Sequence, residues 1–203
     1  MIYILDYGMG NLKSVLNAFL FNHIEAQITE KVEDLKYADR LVIPGVGAFP
    51  DVIKELNKKN LIGGIIEFIK TGKYYLGICL GMQILFDKSL EFGETKGLNI
   101  LEGDITYFPE DVKQRGFKVP HMGWNTVKIV KQNPIFNGIE DRSYFYFDHS
   151  YASFKENEYS AAICEHGCKF NAVVIKDNVI GVQFHPEKSG IKGLKMIKNF
   201  SVL

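Results

Sequence analysis

Three groups of residues have the types and spacing to do chemistry. The first is Cys79, set between Gly77 and Gly81 in the stretch YYLGICLGMQILF, residues 74–86. An apolar run that halts at a cysteine and resumes as Leu80, Met82, Ile84, Leu85 and Phe86 at helical spacing predicts strand, sharp turn and helix. Glycines on both sides leave room for a strained bend, which lifts the thiol out against a helix N-terminus whose dipole favours thiolate over thiol. A buried, inert cysteine is the plainer alternative, and the glycine pair weighs against it.

The second group is His185-Pro186-Glu187. A thiol nucleophile needs a base within hydrogen-bond reach, and that base needs an acceptor for its other ring nitrogen. Residues two apart at a strand end project to one side, so His185 and Glu187 can face one cleft while Pro186 stiffens the backbone between them. The third group is the glycine loop Gly45-Val46-Gly47, which follows the apolar run Arg40 to Pro44 as Cys79 follows its own, so that the two can meet at one sheet edge. The other histidines, 23, 121, 149 and 166, have weaker surroundings.

These groups require strand ends to hold them. Ile2 to Leu5 reads as a buried strand, followed by a glycine turn and a helix with Leu12, Val15, Leu16, Phe19 and Leu20 on one face. A short strand near Glu25 to Thr29, a helix near Val32 to Tyr37 and a strand at Arg40 to Pro44 repeat the unit. Helices over Asp51 to Lys59 and Leu61 to Thr71 follow, the second with a core stripe of Ile62, Ile65, Ile66 and Ile69. Such alternation predicts an α/β fold in three layers: a mostly parallel central sheet with helices on both faces and active residues at the strands' carboxyl ends. Beyond Gly93, strands over Gly97 to Phe108, Asn125 to Val130, Tyr144 to Tyr151, Tyr159 to Glu165 and Asn171 to Phe184 predict an antiparallel β extension. The last of these turns at Asp177-Asn178, and a helix fits Ser189 to Phe200.

Composition excludes several classes. The 203 residues, 46% hydrophobic, suit one domain spanning 1–203. With 24 basic and 24 acidic residues there is neither a nucleic-acid footprint nor a membrane-attracting surface, and Met1 to Leu5 is too short for a signal peptide or a membrane span. Three cysteines, 79, 164 and 168, fit reduced thiols in the cytoplasm better than a disulfide framework. Cys164 and Cys168 lack partners at zinc spacing and read as structural; no metal or organic cofactor is called for. GMGN, residues 8–11, lacks the third glycine and acidic partner of a dinucleotide site.

At these residues a resemblance becomes definite. GICLGMQ (77–83) together with HPEKSG (185–190) resembles the class I, or triad, glutamine amidotransferase family. Within it, DYGMGNL (6–12), PGVGAF (44–49), PHMGWN (120–125) and HSY (149–151) resemble the glutaminase subunits of imidazole glycerol phosphate synthases. The resemblance implies that Cys79 attacks the side-chain amide of glutamine, that His185 moves the protons and that Glu187 orients His185. It implies oxyanion donors at Leu80 and Val46, and glutamine contacts from Gly45, Gly47, Gln83, Glu91, Ser150 and Tyr151. It further implies a heterodimer with a (β/α)8-barrel synthase that receives the ammonia, with Asn11, Trp124 and Lys188 on the partner side. Phe92, Lys88 and Leu90 depart mildly from the family's pattern in the loop after the nucleophile. A paralogous donor to a surface-sugar amidotransferase, a sensor of the same fold, and a peptidase or other hydrolase are the competing expectations.

Overall fold

A computed structural model describes residues 1–203. The first half alternates as read: β1 (Ile2–Leu5), α1 (Leu12–Phe21), β2 (Ala26–Thr29), a 3-10 turn at Val32–Tyr37, β3 (Arg40–Gly45), α2 (Phe49–Lys58), α3 (Leu61–Lys70) and β4 (Tyr74–Cys79). A single turn of helix follows, α4 (Leu80–Gln83), then β5 (Phe86–Ser89), β6 (Thr95–Lys96), β7 (Leu101–Tyr107) and α5 (Glu110–Gln114). The remainder is β8 (His121–Ile129), β9 (Ser143–His149), β10 (Tyr151–Ala152), β11 (Ser160–His166), β12 (Cys168–Lys176), β13 (Val179–Val182) and α6 (Gly190–Ser201).

The main sheet has nine strands in the order β2-β1-β3-β4-β13-β12-β11-β8-β9. It is mixed: β2 through β13 pair in parallel and β13 through β9 pair antiparallel, so the extension is continuous with the parallel part and as large as it. A second sheet, β10-β7-β5-β6, stands beside it. Alternate residues of the parallel strands serve two cores. Ile4, Val42, Leu76 and Ile78 pack against Val15 and Phe19 of α1 and Met196 and Phe200 of α6. Leu5, Leu41, Ile43 and Tyr75 pack against Val52 and Leu56 of α2 and Ile65 and Phe68 of α3. Strands covered on both faces must read as continuous apolar runs, as β1, β3 and β4 do.

Several expectations are corrected. The helix after Cys79 ends at Gln83, and Phe86 begins a strand instead of a further helical turn. Leu80, Met82, Ile84, Leu85 and Phe86 are all buried, and an apolar run with no polar face satisfies either conformation. The strand wins because residues 97–101 fold back to hydrogen-bond to it, with Leu98 N–H on Ile84 O at 2.7 Å and Gly97 N–H on Asp87 O at 2.8 Å. Leu20 is exposed, because α1 faces inward through Val15, Ala18 and Phe19. Ile62 and Ile66 are half-buried; Leu61, Ile65, Phe68 and Ile69 make the inward face of α3. The Gly97–Phe108 strand is shortened to Leu101–Tyr107, with Asn99 in a left-handed turn before it. The Tyr144–Tyr151 strand divides at Ser150, its two parts belonging to different sheets.

The glycines at the bend are fixed by contact. A Cβ on Gly81 would overlap the Ile43 carbonyl oxygen, and one on Gly77 would overlap the Gly81 carbonyl. Gly81→Ala is therefore expected to cost ~2 kcal/mol or more in urea unfolding, the upper range for forcing atoms into a packed core. Gly63→Ala in α3, where a Cβ meets nothing within 4 Å, should instead stabilise by up to ~0.5 to 1 kcal/mol. Equal midpoints for the two variants would contradict this account of the bend.

Candidate active site

Cys79 is the last residue of β4 and has φ 53° and ψ −108°, a region that side chains other than glycine rarely occupy. The bend is held by backbone packing at Gly77 and Gly81 and by Tyr75, whose buried hydroxyl donates to Gly81 O at 2.7 Å. Since α4 is a single turn, the dipole expected to favour a thiolate is small, and the elbow acts by presenting the sulfur. Gly45, at the end of β3, is level with Cys79 in the parallel register. The loop Gly45-Val46-Gly47 therefore leaves the sheet beside the sulfur, with Gly47 at φ +101°.

His185 follows β13 and reaches the same edge. Its Nδ1 lies 2.8 Å from Glu187 Oε1, both side chains almost fully buried. The turn carrying them is tied to β9: His185 N–H donates to Tyr146 O at 2.9 Å, Tyr146 N–H to Ser189 Oγ at 2.9 Å, and Ser189 Oγ–H to His185 O at 2.6 Å. Burial opposes charge on the imidazole, but the Cys79 sulfur and the Glu187 carboxylate on either side outweigh it and push the His185 pKa up to about 10.

One cavity of about 230 Å³ is lined by Cys79, Leu80, His185, Val46, Gly47, Gln83, Glu91, Ser150 and Tyr151. The sequence-predicted residues thus meet, except that Glu187 stands behind His185 and Gly45 lies under the loop against Tyr7 and Leu80. Gln83 Nε2 donates to Tyr151 O at 2.9 Å. Glu91 Oε2 accepts from Phe49 N–H at 2.8 Å, and burial, offset by that bond and reinforced by Asp51, raises its pKa. Outside the cavity, Trp124 packs edge-on against Tyr146 and Lys188 Nζ stands 5.7 Å over the same ring. Asn11 caps α1, its Oδ1 accepting from Ser14 N–H at 3.3 Å.

Four participants escaped the sequence reading. Tyr7 is buried, with its hydroxyl donating to Pro44 O at 2.8 Å, directly before the glycine loop; burial, then the neighbouring Cys79 and Asp6, raises its pKa. Met9 would collide with any side chain at Gly47. His149 lines the cavity wall. Gln183, fully buried, places Nε2 3.6 Å from Cys79 Sγ. Its signal was available: it is the one polar residue in the apolar run Val179 to Phe184, two before His185.

The model of the family described as glutamine amidotransferase class-I matches residues 3–202. The chain belongs to this family. It is 48% identical over 201 residues to a protein of Caldanaerobacter subterraneus subsp. tengcongensis named imidazole glycerol phosphate synthase subunit HisH, covering 98% of this chain and 97% of that one. It is 45% identical to the HisH subunit of Syntrophotalea carbinolica, covering 98% of both. These identities place the chain among the HisH glutamine amidotransferases, within the larger class I group. The fold is shared more widely: a crystal structure of a glutamine amidotransferase aligns with TM-score 0.75 at 16% identity over 100% of this chain and 99% of that one. A structure of PurLQS from Thermotoga maritima aligns with TM-score 0.74 at 17% identity, covering 98% and 96%.

The Glu187 carboxylate is one of the groups that raise the basicity of His185, so Glu187→Gln should move the imidazole titration seen by NMR to lower pH. The sign for stability follows. Folding raises this pKa from 6.5 to about 10, so its contribution is complete below about pH 6.5 and is lost as pH climbs toward 10. Glu187→Gln should flatten the fall in unfolding free energy across that window, and an unchanged slope would remove Glu187 from the role.

Proposed function

We propose that the chain hydrolyses glutamine at Cys79 and passes the ammonia to a separate synthase subunit. The observation that carries this reading is the convergence, in one cavity, of a strained cysteine, a histidine backed by a buried carboxylate, and a wall of amide, hydroxyl and carboxylate groups. In this mechanism Cys79 attacks the side-chain amide carbon and the tetrahedral oxyanion forms toward the N–H groups of Leu80 and Val46. His185 protonates the departing ammonia, leaving a glutamyl thioester. It then takes a proton from the water that releases glutamate, while Glu187 holds its tautomer and supports its charged form.

Gln83, Glu91, Ser150 and Tyr151, with the backbone of Gly45 and Gly47, hold glutamine itself. The raised basicity of Glu91 suits a carboxylate that meets the α-ammonium group. Its bond to Phe49 N–H anchors the far end of the glycine loop, so substrate and oxyanion donors share one support. A flip of the Gly45–Val46 peptide, through ψ of Gly45 and φ of Val46, can carry the Val46 N–H into or out of the oxyanion position, which would make hydrolysis depend on the partner.

The partner in this reading is a (β/α)8-barrel synthase, forming a heterodimer that makes imidazole glycerol phosphate, the product in the relatives' name. Free ammonia is protonated at neutral pH, so delivery has to be direct. Met122 and Trp124 share the outer face of β8, and with Tyr144 and Ile191 they form an exposed apolar patch beside the cavity. Lys188 reaches this face, its Nζ 5.7 Å over the Tyr146 ring that packs on Trp124, and we assign Asn11 to the same interface. No helix is long and apolar enough to cross a membrane.

Glutamate release from glutamine, with and without a barrel synthase and its nucleotide ligand, tests the proposal. The partner should stimulate release, Cys79→Ala should abolish it, and His185→Asn should lower it by about 100- to 10,000-fold. Absence of release under all conditions would overturn the proposal. On the docking face, Trp124→Asp should weaken assembly at least about tenfold, the loss of ~1.4 kcal/mol typical of an aromatic anchor, while leaving the fold intact.

A further inference from the structure

Gln183 is an amide placed where a thiol enzyme needs a donor, and its orientation can be worked out bond by bond. Asn125 Oδ1 accepts from Thr126 N–H at 2.8 Å and its Nδ2 donates to Glu165 O at 3.0 Å, which fixes that amide. The same Nδ2 lies 3.2 Å from His121 Nε2, which must therefore accept. The His121 proton is then on Nδ1, 3.0 Å from His149 Nε2. The His149 proton is left on Nδ1, which donates to Tyr151 O at 2.9 Å. Burial first, and then neighbouring imidazoles, keep both rings uncharged: His121 is held down to about 2 and His149 to about 3, a backbone bond to Tyr151 only partly opposing the second. Each ring therefore has a single tautomer.

The Tyr151 carbonyl can only accept, so the group of Gln83 that faces it at 2.9 Å is the NH2. That same NH2 faces Gln183 at 3.1 Å, so the Gln183 atom there is the acceptor Oε1. Its own NH2 is thereby turned toward Cys79 Sγ at 3.6 Å. As a donor, the thiol has His185, whose imidazole shares a side-chain hydrogen bond with the sulfur, and beyond it only Asp148 O at 4.0 Å. We infer that Gln183 is a catalytic residue that donates an N–H hydrogen bond to the Cys79 sulfur in its thiolate form, its aim set by Gln83, whose own NH2 is fixed by the Tyr151 carbonyl.

This inference rests on the reading of Cys79 as the nucleophile. The donor acts at two points: before attack, on the free thiolate, and when water breaks the thioester C–S bond and the electron pair returns to sulfur. A neutral amide suits the place, because it stabilises the anion without competing with His185 for an ion pair. The titratable groups around the sulfur are His185 with Glu187 behind it, Tyr7 under the glycine loop, and Asp148, His149, Tyr151 and Glu91 across the cavity.

The test is alkylation of Cys79 by iodoacetamide in the full chain as a function of pH, read by mass spectrometry of the Cys79 peptide so that Cys164 and Cys168 do not contribute. Gln183→Met keeps the side-chain volume and removes the donor. The midpoint of the rate profile should rise by about one pH unit, and the rate at neutral pH should fall about tenfold, the equivalent of one hydrogen bond to an anion. A packing role alone would slow alkylation at every pH without moving the midpoint, and that result would overturn the inference. Should Gln183→Met fail to fold, Gln183→Leu removes the donor without adding a charge that would itself raise the midpoint. Its midpoint must also rise, and an unchanged or lower one would be equally decisive. Protection of the wild-type cysteine by glutamine checks the glutaminase reading separately, because it depends on the substrate pocket and not on the midpoint.

Discussion

The site depends on a place where backbones touch with no side chain between them. At Gly81 the helix start lies against the Ile43 carbonyl of β3, and at Gly77 the strand lies against the Gly81 peptide. This contact allows β4 to end in a residue at φ 53° and still keep α4 packed over the sheet. A side chain at either position would push α4 away, and the sulfur, the Leu80 N–H and the Gln83 side chain would all move with it. Strain at Cys79 persists because these neighbours over-determine the backbone, the usual condition for such conformations at functional sites. The parallel register then does the rest. Since β3, β4 and β13 are adjacent and run the same way, the glycine loop, Cys79 and His185 leave the sheet side by side.

The histidines illustrate how environment divides one residue type into two uses. His185 has an anionic neighbour at Nδ1 and a sulfur on its other side, and these overcome the cost of burying a charge. His121 and His149 are also buried but have only carbonyls, an amide and neighbouring imidazoles, His166 stacking on His121 at 4.1 Å, and they pack among Phe108, Phe147 and Phe170. Burial is then unopposed by any carboxylate, and they stay neutral. The first arrangement holds a proton on the ring for delivery to a leaving group. The second holds a fixed pattern of donors and acceptors, which is what a positioning element requires.

How much of this could be read in the sequence differs by element. The parallel strands were legible because burial on both faces writes continuous apolar runs, and the elbow because glycine spacing reports a steric need. His185 and Glu187 were legible because period two at a strand end is a local rule. The run after Phe86 was not, since an all-buried segment carries no polar face to reveal its period and only pairing with residues 97–101 decides it. Leu20 was misassigned for the related reason that apolar type alone does not give facing; α1 turned out to bury Ala18 instead. Gln183 and His149 were passed over because their partners are 104 and 28 residues away, on other strands. Tertiary hydrogen bonds of that kind leave no mark in local spacing.

The break at Ser150 has a structural logic that joins these elements. β9 belongs to the main sheet and β10 to the small one, so the chain must leave one ladder for the other between His149 and Tyr151. Carbonyls at such a crossing lose their ladder partners and have to be satisfied by side chains. The Tyr151 carbonyl takes two, His149 from one side and Gln83 from the other. It thereby becomes the junction where the antiparallel extension, which carries Trp124 and Asn125, meets the helix that begins at the nucleophile. The mixed sheet is thus more than a scaffold with an added half: its antiparallel side supplies the polar contacts that aim the groups around a sulfur held by its parallel side.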